Sequence, residues 1–295
     1  MRISDSQRFA LPQLRIGKLR TQQVNIGEAL ASGQRINRPS DDPLGARMVV
    51  DLNSEHRRVK QFERNIDAGR HLLQLADGVL DEANNTLLRA KEIGIRGVNG
   101  IMSQNDRDFM ADDILSFRDH LKNLANTRTQ NRYIFGGFIS DTPPYDNAFA
   151  FVGDTNKTQY EVGDGELVDA TTTGGLAFGD GTANTTDVFD NLQQLADAVR
   201  AGNVPDMETE LGRLEQSLEQ VVTVRQRVGL NLNRLSAAET ITEYMKERLP
   251  DALSQIQDTD FTQAVSDLKV VENTLQATLA TSSRLMNGSS LLDYL

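Results

Sequence analysis

Apolar residues recur at alternating steps of three and four along much of the chain, which is the spacing of a coiled-coil helix. Between Leu52 and Gly94, ten of the thirteen positions on this stripe are apolar when glycine is not counted. A helix of this length would extend for about 64 Å at 1.5 Å per residue. Asp42 is predicted to cap it, Pro43 to be its first residue, and the pair Asn99-Gly100 to end it.

The same spacing predicts two further long helices. The first restarts between Ser103 and Asp106, and its stripe consists of Met110, Ile114, Phe117, Leu121 and Leu124. The second begins near Pro205, and its stripe consists of Met207, Leu211, Leu214, Leu218, Val221, Val228, Leu232 and Leu235. Arg225 interrupts this second stripe, and its charge is expected to extend into solvent.

After Leu235 the apolar phase of this helix drifts. The positions expected to continue the stripe are Ala238, Ile241, Met245 and Leu249. Pro250 is expected to end or kink the helix, because proline lacks the N–H group that a helix interior requires.

Helical periodicity stops between residues 133 and 186, where Gly, Asp, Asn and Thr separate short apolar pieces. Asp164-Gly165 lies between two of these pieces and predicts a two-residue hairpin turn. The predicted fold is therefore mainly α: an elongated rod of long coiled-coil-like helices from both ends of the chain, with a small β-rich insert in the middle.

Each end of the chain carries one amphipathic helix with no partner nearby in sequence. The N-terminal stripe consists of Ile16, Leu19, Gln23, Ile26 and Leu30. The C-terminal stripe consists of Phe261, Ala264, Leu268, Val271, Leu275, Thr278, Ser282 and Leu285. A single helix cannot bury its own stripe. The two end helices must therefore pair with each other, with neighbouring molecules, or with both.

These segments predict a nested organisation in three parts. Residues 1–40 and 258–295 form terminal helices, residues 41–132 and 187–257 form a helical rod domain, and residues 133–186 form the outer insert.

Composition excludes several classes of function. The net charge of −11 disfavours nucleic-acid binding, which depends on clustered Lys and Arg. There is no cysteine, and the three histidines lie at spacings that do not suit a metal. We predict no catalytic constellation, cofactor or metal, because no catalytic motif occurs. No apolar run of about 18 residues is present, so neither a membrane span nor an ordinary cleavable signal peptide is expected.

Several stretches resemble the flagellins and flagellin-like hook-associated proteins. Residues 30–43, Leu-Ala-Ser-Gly-Gln-Arg-Ile-Asn-Arg-Pro-Ser-Asp-Asp-Pro, are similar to the N-terminal signature of that family. Residues 88–100 are similar to its helix-end region. Residues 131–138 and 142–145, together with both ends of the chain, resemble the hook-associated branch of the family.

The resemblance implies a structural component of the bacterial flagellum that joins hook and filament by self-assembly. Export through the flagellar type III channel, without a cleavable signal, would place it outside the cell. The implied partners are copies of itself, an adjoining hook-associated protein, flagellin, and an export chaperone on the C-terminal helix. The implied contact residues are Ile16, Leu19, Ile26, Leu30, Arg89, Glu92, Phe261, Leu268, Val271, Leu275 and Leu285.

A physical hypothesis follows from the unpaired stripes: residues 1–40 and 258–295 are mobile in the monomer and become ordered on assembly. Two other functions stay open at this point. A filament flagellin would form long filaments alone, whereas a coiled-coil signalling scaffold would have no need of the signature at residues 30–43.

Overall fold

The computed structural model describes the backbone of residues 5–182 and 185–287, and the side chains of residues 11–182 and 185–284. The elements in these ranges are, in order, α1 (Asp5–Ser32), α2 (Pro43–Asn99), α3 (Gln104–Ala125), β1 (Arg128–Thr129), β2 (Arg132–Tyr133), β3 (Gln159–Gly163), β4 (Glu166–Asp169), α4 (Gly174–Phe178), α5 (Val188–Ala201), α6 (Val204–Gln257) and α7 (Phe261–Asn287). The prediction of a mainly α fold with a small strand-containing insert in the middle is confirmed.

Two long helices begin where the sequence predicts. Pro43 is the first residue of α2, and the Asp42 carboxylate accepts a hydrogen bond from the Gly45 N–H group at 2.9 Å. Ser103 caps α3 through a reciprocal pair of bonds with Asp106. Each cap satisfies backbone N–H groups that have no partner within their helix.

The chain divides into two compact units, residues 1–58 with 245–295 and residues 59–244. The three-part organisation predicted from the sequence places its boundaries elsewhere and stays a prediction. In the larger unit, α2 and α6 run antiparallel. A Cβ atom added to Gly94 on α2 would lie 2.7 Å from Leu211 on α6, and one added to Gly69 would lie 3.4 Å from Leu235.

The predicted stripes of these helices form the core of the larger unit. On α2 the buried positions of the predicted stripe are Val59, Ile66, Gly69, Leu73, Ala76, Leu80, Ala83, Leu87, Ala90 and Gly94. On α6 they include Met207, Leu214, Val221, Val228 and Leu235, and α3 and α5 supply Ile114, Leu121, Leu192 and Leu195. The spacing of three and four therefore identified the residues that are removed from water on folding.

The prediction that Arg225 extends into solvent is only partly right, because the side chain is 38% exposed but its charge is paired. Its guanidinium group donates from Nε to Asp77 at 2.9 Å and from Nη1 to Asp81 at 2.5 Å, and both carboxylates belong to α2. These two carboxylates raise the pKa of Arg225. The charge that interrupts the α6 stripe thus fixes the alignment of α6 against α2.

The expected drift of the α6 stripe is wrong at two positions. Ile241 is 56% exposed and Met245 is 38% exposed, whereas Ala238 and Thr242 are buried. The buried positions Leu235, Ala238 and Thr242 follow the same steps of three and four as the rest of the stripe. The packed face of the helix therefore stays the same, although Thr242 is polar and Ile241 is apolar. The helix does not end at Pro250 but continues to Gln257.

The predicted hairpin is present as β3 and β4, which pair antiparallel around Asp164-Gly165. Gly165 has a φ of +74°, a conformation that glycine adopts without strain. The side chain of Asn65 on α2 donates to a β3 carbonyl at 2.7 Å, and that of Asn231 on α6 donates to a β4 carbonyl at 3.1 Å. The hairpin is therefore bonded to both long helices of the larger unit.

Aromatic side chains are scarce in the chain but are concentrated at one place. The cluster comprises Phe135, Tyr145, Phe149, Phe151, Phe178 and Phe189. The Tyr145 hydroxyl donates to the Gly179 carbonyl at 2.7 Å, and burial raises the pKa of Tyr145. The cluster joins the loops of the insert to α4, which lies within the insert, and to α5, and the heptad pattern predicts neither helix.

An ion pair between α2 and α6 gives a pH-dependent prediction. Arg70 donates to Glu239 at 2.6 Å through one of two parallel bonds, and this contact lowers the pKa of Glu239 below its ordinary value of 4.5. A lowered folded-state pKa stabilises the fold above the unfolded-state value and ceases to do so as the pH falls through the folded-state value. We expect Glu239→Gln to reduce the free energy of unfolding by about 0.5–1 kcal/mol at neutral pH, because the pair is partly exposed.

Urea unfolding at neutral pH and again well below pH 4.5 measures this difference. The difference in free energy of unfolding between the original protein and Glu239→Gln should disappear in acid. Glu219→Gln, at an exposed α6 position, is the control and should change little. An equal loss at both pH values would show that Glu239 acts by packing and not by charge.

Candidate functional site

The two end helices pack against each other in the smaller unit. Apart from Phe261, every described position of the two predicted stripes is half-buried. These positions are Ile16, Leu19, Gln23, Ile26, Leu30, Ala264, Leu268, Val271, Leu275, Thr278 and Ser282. The stripes of α1 and α7 thus provide partners for each other, one of the arrangements left open by the sequence.

This pairing leaves apolar surface in contact with water. No described side chain of α1 or α7 is fully buried. On α1, Leu11, Leu14 and Val24 are each 64% exposed, and on α7, Phe261 is 63% and Val270 is 59% exposed. Two helices can cover only one side of each other, so the pair retains apolar faces that can bind further helices.

Helix α7 begins at Phe261, directly after a capping residue. The Gln263 N–H group donates to the Asp260 carboxylate at 3.0 Å, which satisfies one backbone donor of the first turn. The helix is described as far as Asn287. The side chain of Leu285 lies outside the described residues, so the predicted contact at this position has no structural description.

A joint between the end of α1 and the end of α6 holds this pair in register. Gly33, with a φ of +73°, ends α1 and accepts a hydrogen bond from the Thr259 N–H group at 2.9 Å. The Arg35 N–H group donates to the Gln257 carbonyl at 2.7 Å, so the two segments pair as a short antiparallel bridge. We call the segments 33–45 and 256–259 the joint.

Charged side chains of the signature at residues 30–43 complete the joint. The Arg35 guanidinium donates to the Ile256 carbonyl at 3.0 Å and to the Asp42 carboxylate at 3.3 Å. The Gly45 N–H group is the main cause of the lowered pKa of Asp42, and Arg35 adds to the effect. Asp41 accepts bonds from the backbone of the preceding turn, at 2.8 Å from the Arg38 N–H group. These roles explain why two adjacent carboxylates occur here without catalytic chemistry.

Ile36 is the buried apolar residue of the joint, with 6% of its surface exposed. It lies against the first turn of α2, where the missing side chain of Gly45 leaves room for it. Residues 256–259 of the joint were not predicted from the sequence, where their only signal is the polar run Asp258-Thr259-Asp260 between two helices.

Two of the predicted contact residues lie elsewhere. Arg89 and Glu92 are exposed on α2, in the larger unit. Neither forms an ion pair with a described residue. The structure therefore brings together the α1 and α7 members of the predicted set, whereas these two belong to a separate surface.

Among the described residues, no group of three His, Asp or Glu side chains is arranged to hold a metal ion. Within the same ranges, no helix has the length and hydrophobicity that crossing a membrane requires.

Gly45 provides a test of the joint. A Cβ atom at this position would lie 2.5 Å from Ile36 Cδ1 and 2.6 Å from Asp42 Oδ2, so the buried residue and the cap would both have to move. We expect Gly45→Ala to destabilise the joint by about 1–3 kcal/mol. Amide hydrogen exchange at Arg35 and Thr259, whose N–H groups bond across the joint, measures this loss.

Gly27→Ala is the matched control, because Gly27 is helical, lies in the same unit and has nothing within 4 Å of an added Cβ atom. It should stabilise α1 by about 0.5–1 kcal/mol, since alanine favours helices over glycine. The steric account would be wrong if both alanine variants behaved alike.

Comparisons with known proteins agree with this architecture. The bacterial flagellin N-terminal helical region matches residues 12–138, and the flagellin C-terminal helical region matches residues 211–295. These two regions together exceed half of the chain and contain all the described helices except α4, α5 and the first turns of α1 and α6.

Relatives match over nearly the whole length. Flagellar hook-associated protein 3 of Escherichia coli K12 is 28% identical, with 94% of each chain covered. Flagellar hook-associated protein 3 of Salmonella typhimurium is 26% identical, with 99% of this chain and 98% of the relative covered. The crystal structure of the flagellar junction protein FlgL from Legionella pneumophila is similar with a TM-score of 0.60 and 16% identity, over 71% of this chain and 99% of that chain. The paired end helices, the signature joint and these matches together lead to one conclusion: this chain belongs to the bacterial flagellin family.

Proposed function

We propose that this protein is the adaptor that joins the flagellar hook to the filament. The observation that carries the proposal is the α1–α7 pair, whose stripes are half-covered by each other and whose outer faces remain apolar and exposed. Such a pair gains stability by packing among further helices of the same kind. An axial flagellar structure supplies those helices as neighbouring subunits.

The comparisons support the adaptor over a filament subunit. The two relatives described above carry the name flagellar hook-associated protein 3 and match 94% and 99% of this chain. The family is one of structural proteins and not of enzymes, as the sequence predicts. A filament flagellin is the alternative within the family.

The energetics of the end helices favour assembly over premature association. Ordering a residue costs about 1–2 kcal/mol of backbone entropy. Burial of apolar surface stabilises by about 25 cal/mol for each Å². In the isolated pair every described side chain keeps some exposure, so the stabilisation from burial is small. Contacts with several subunits at once would bury the remaining apolar faces and make order favourable.

The partners follow from this arrangement. Copies of this chain, an adjoining hook-associated protein and flagellin would contact residues Ile16, Leu19, Ile26, Leu30, Phe261, Leu268, Val271, Leu275 and Leu285. Arg89 and Glu92 would contribute a second, exposed contact on α2. Before assembly, an export chaperone would cover the apolar face of α7, a helix-in-groove interaction. The site of action would be extracellular, after export without a cleavable signal.

Hydrogen exchange on the soluble monomer tests the state of the ends. We expect amides of α1 and α7 to exchange rapidly in the monomer and slowly in the assembled axial structure. Residues 73–87 of α2, whose stripe is fully buried, should be protected in both and provide the internal control. Strong protection of residues 261–285 in the monomer would contradict ordering on assembly.

Deletion of the gene tests the function itself. A strain without an adaptor should build hooks, release free flagellin into the medium and carry no filaments in electron micrographs. Loss of filaments without release of flagellin would favour a filament subunit. Long filaments formed by the purified protein alone would favour that alternative too.

Complementation of the same strain tests the assembly surface. Leu268→Asp combined with Leu275→Asp places two charges on the α7 stripe, and we expect it to abolish filament formation because a buried unpaired charge is costly. Gln276→Asp, at an exposed position of the same helix, should restore filaments. Far-UV circular dichroism checks that the larger unit still folds. Normal filaments from the double variant would refute this assignment of the stripe.

A further inference from the structure

A cleft of about 150 Å³ opens in the larger unit, between α2, the turn that joins β1 to β2, the loop at residues 137–140 and strand β3. It is well separated in sequence from the end helices and has no role in the proposed assembly. Liquid water occupies about 30 Å³ per molecule, so the cleft has room for an ion of about five heavy atoms.

The lining of this cleft is unusual for so acidic a chain. The chain carries 42 acidic residues against 31 basic ones, yet no carboxylate of a described residue lines the cleft. His71 from α2 and Arg132 from β2 both line it, and neither forms an ion pair with a described residue. The remaining polar lining is largely hydroxyl groups, among them those of Ser140, Tyr133 and Tyr160.

The Arg132 side chain is held by one hydrogen bond and has further N–H groups that can bind a ligand. Its Nε–H group donates to the Ser140 hydroxyl at 2.8 Å, which fixes the side chain against the loop at residues 137–140. This bond uses one of the five N–H donors of a guanidinium group, and the fork of the group suits a carboxylate or a phosphate. Hydroxyl groups around it can donate further hydrogen bonds to the same anion.

We propose that this cleft binds one small oxyanion, a phosphate or a carboxylate, through Arg132, with His71 and the surrounding hydroxyl groups as further donors. The bound anion would bridge α2 and the two-stranded sheet of β1 and β2, because His71 belongs to the first and Arg132 to the second.

The intrinsic tyrosine fluorescence of the protein can report this binding. It contains five tyrosines and no tryptophan, and two of the tyrosines line the cleft. Titration of the full-length monomer with inorganic phosphate, and separately with succinate, at constant ionic strength should give a saturable change in tyrosine fluorescence. The same anions should raise the midpoint of thermal unfolding, since a ligand that binds only the folded state stabilises it.

Arg132→Gln and Arg128→Gln form a matched pair of variants. Both arginines are exposed and lie on the same two-stranded sheet, but Arg128 does not line the cleft. We expect Arg132→Gln to weaken anion binding by about tenfold or more, because it removes a charge-assisted contact. Arg128→Gln should retain the affinity of the original protein.

Three results would overturn the proposal. They are the absence of a saturable response to either anion, an equal loss of affinity in the two variants, and an equal response to sodium chloride at the same ionic strength. Saturation by phosphate alone or by succinate alone would identify which anion the cleft prefers. The unfolding midpoint of each variant without anion shows whether the substitution itself disturbs the fold.

Discussion

The covering of apolar stripes on long helices is the constraint on which this structure depends. In the larger unit, α2 and α6 share a core with α3 and α5, so their stripes are removed from water. In the smaller unit, α1 and α7 have only each other, and their stripes are half-covered. One sequence pattern therefore produces a stable core at one place and an incomplete one at another. The difference lies in the number of neighbours and not in the residues of the stripe.

The joint is a largely polar segment that holds the apolar helices α1 and α7 in register. Two backbone hydrogen bonds and one bond from the Arg35 guanidinium connect the end of α1 to the end of α6, and an ion pair and a buried isoleucine connect the same segment to the start of α2. None of these contacts needs catalytic chemistry, although Asp41 and Asp42 would suggest it in isolation. Gly33 ends α1 in the left-handed region, which glycine adopts without strain, and its carbonyl accepts a hydrogen bond from Thr259. The signature at residues 30–43 thus connects the end of α1 to the end of α6 and to the start of α2.

The regular elements could be predicted from the sequence because local signals determine them. Pro43, Ser103 and the turn at Asp164-Gly165 each specify a boundary through backbone geometry alone. The stripes likewise predicted which faces of α1 and α7 would meet. The failures share a different cause. Arg225 was assigned by its own polarity, but its environment is set by Asp77 and Asp81, which lie almost 150 residues earlier in the chain.

The same reasoning explains the elements that the pattern does not predict. Helices α4 and α5 are short and depend on an aromatic cluster whose members are scattered between residues 135 and 189. Ile241 was expected on the stripe, but Thr242 is buried in its place, because the packed face of the helix kept its spacing of three and four. Likewise, the lining of the cleft comes from four separate segments, so no local motif could reveal it.

The aromatic cluster also bears on the order in which the chain folds. Its six rings are contributed by residues within a stretch of 55, so they can meet early at little entropic cost. The joint, in contrast, connects Gly33 to Thr259, which are more than 220 residues apart. Closing so long a loop is slow and costly unless intervening contacts shorten it first. The central part of this chain would therefore fold first, and its two ends would be the last segments to form their native contacts.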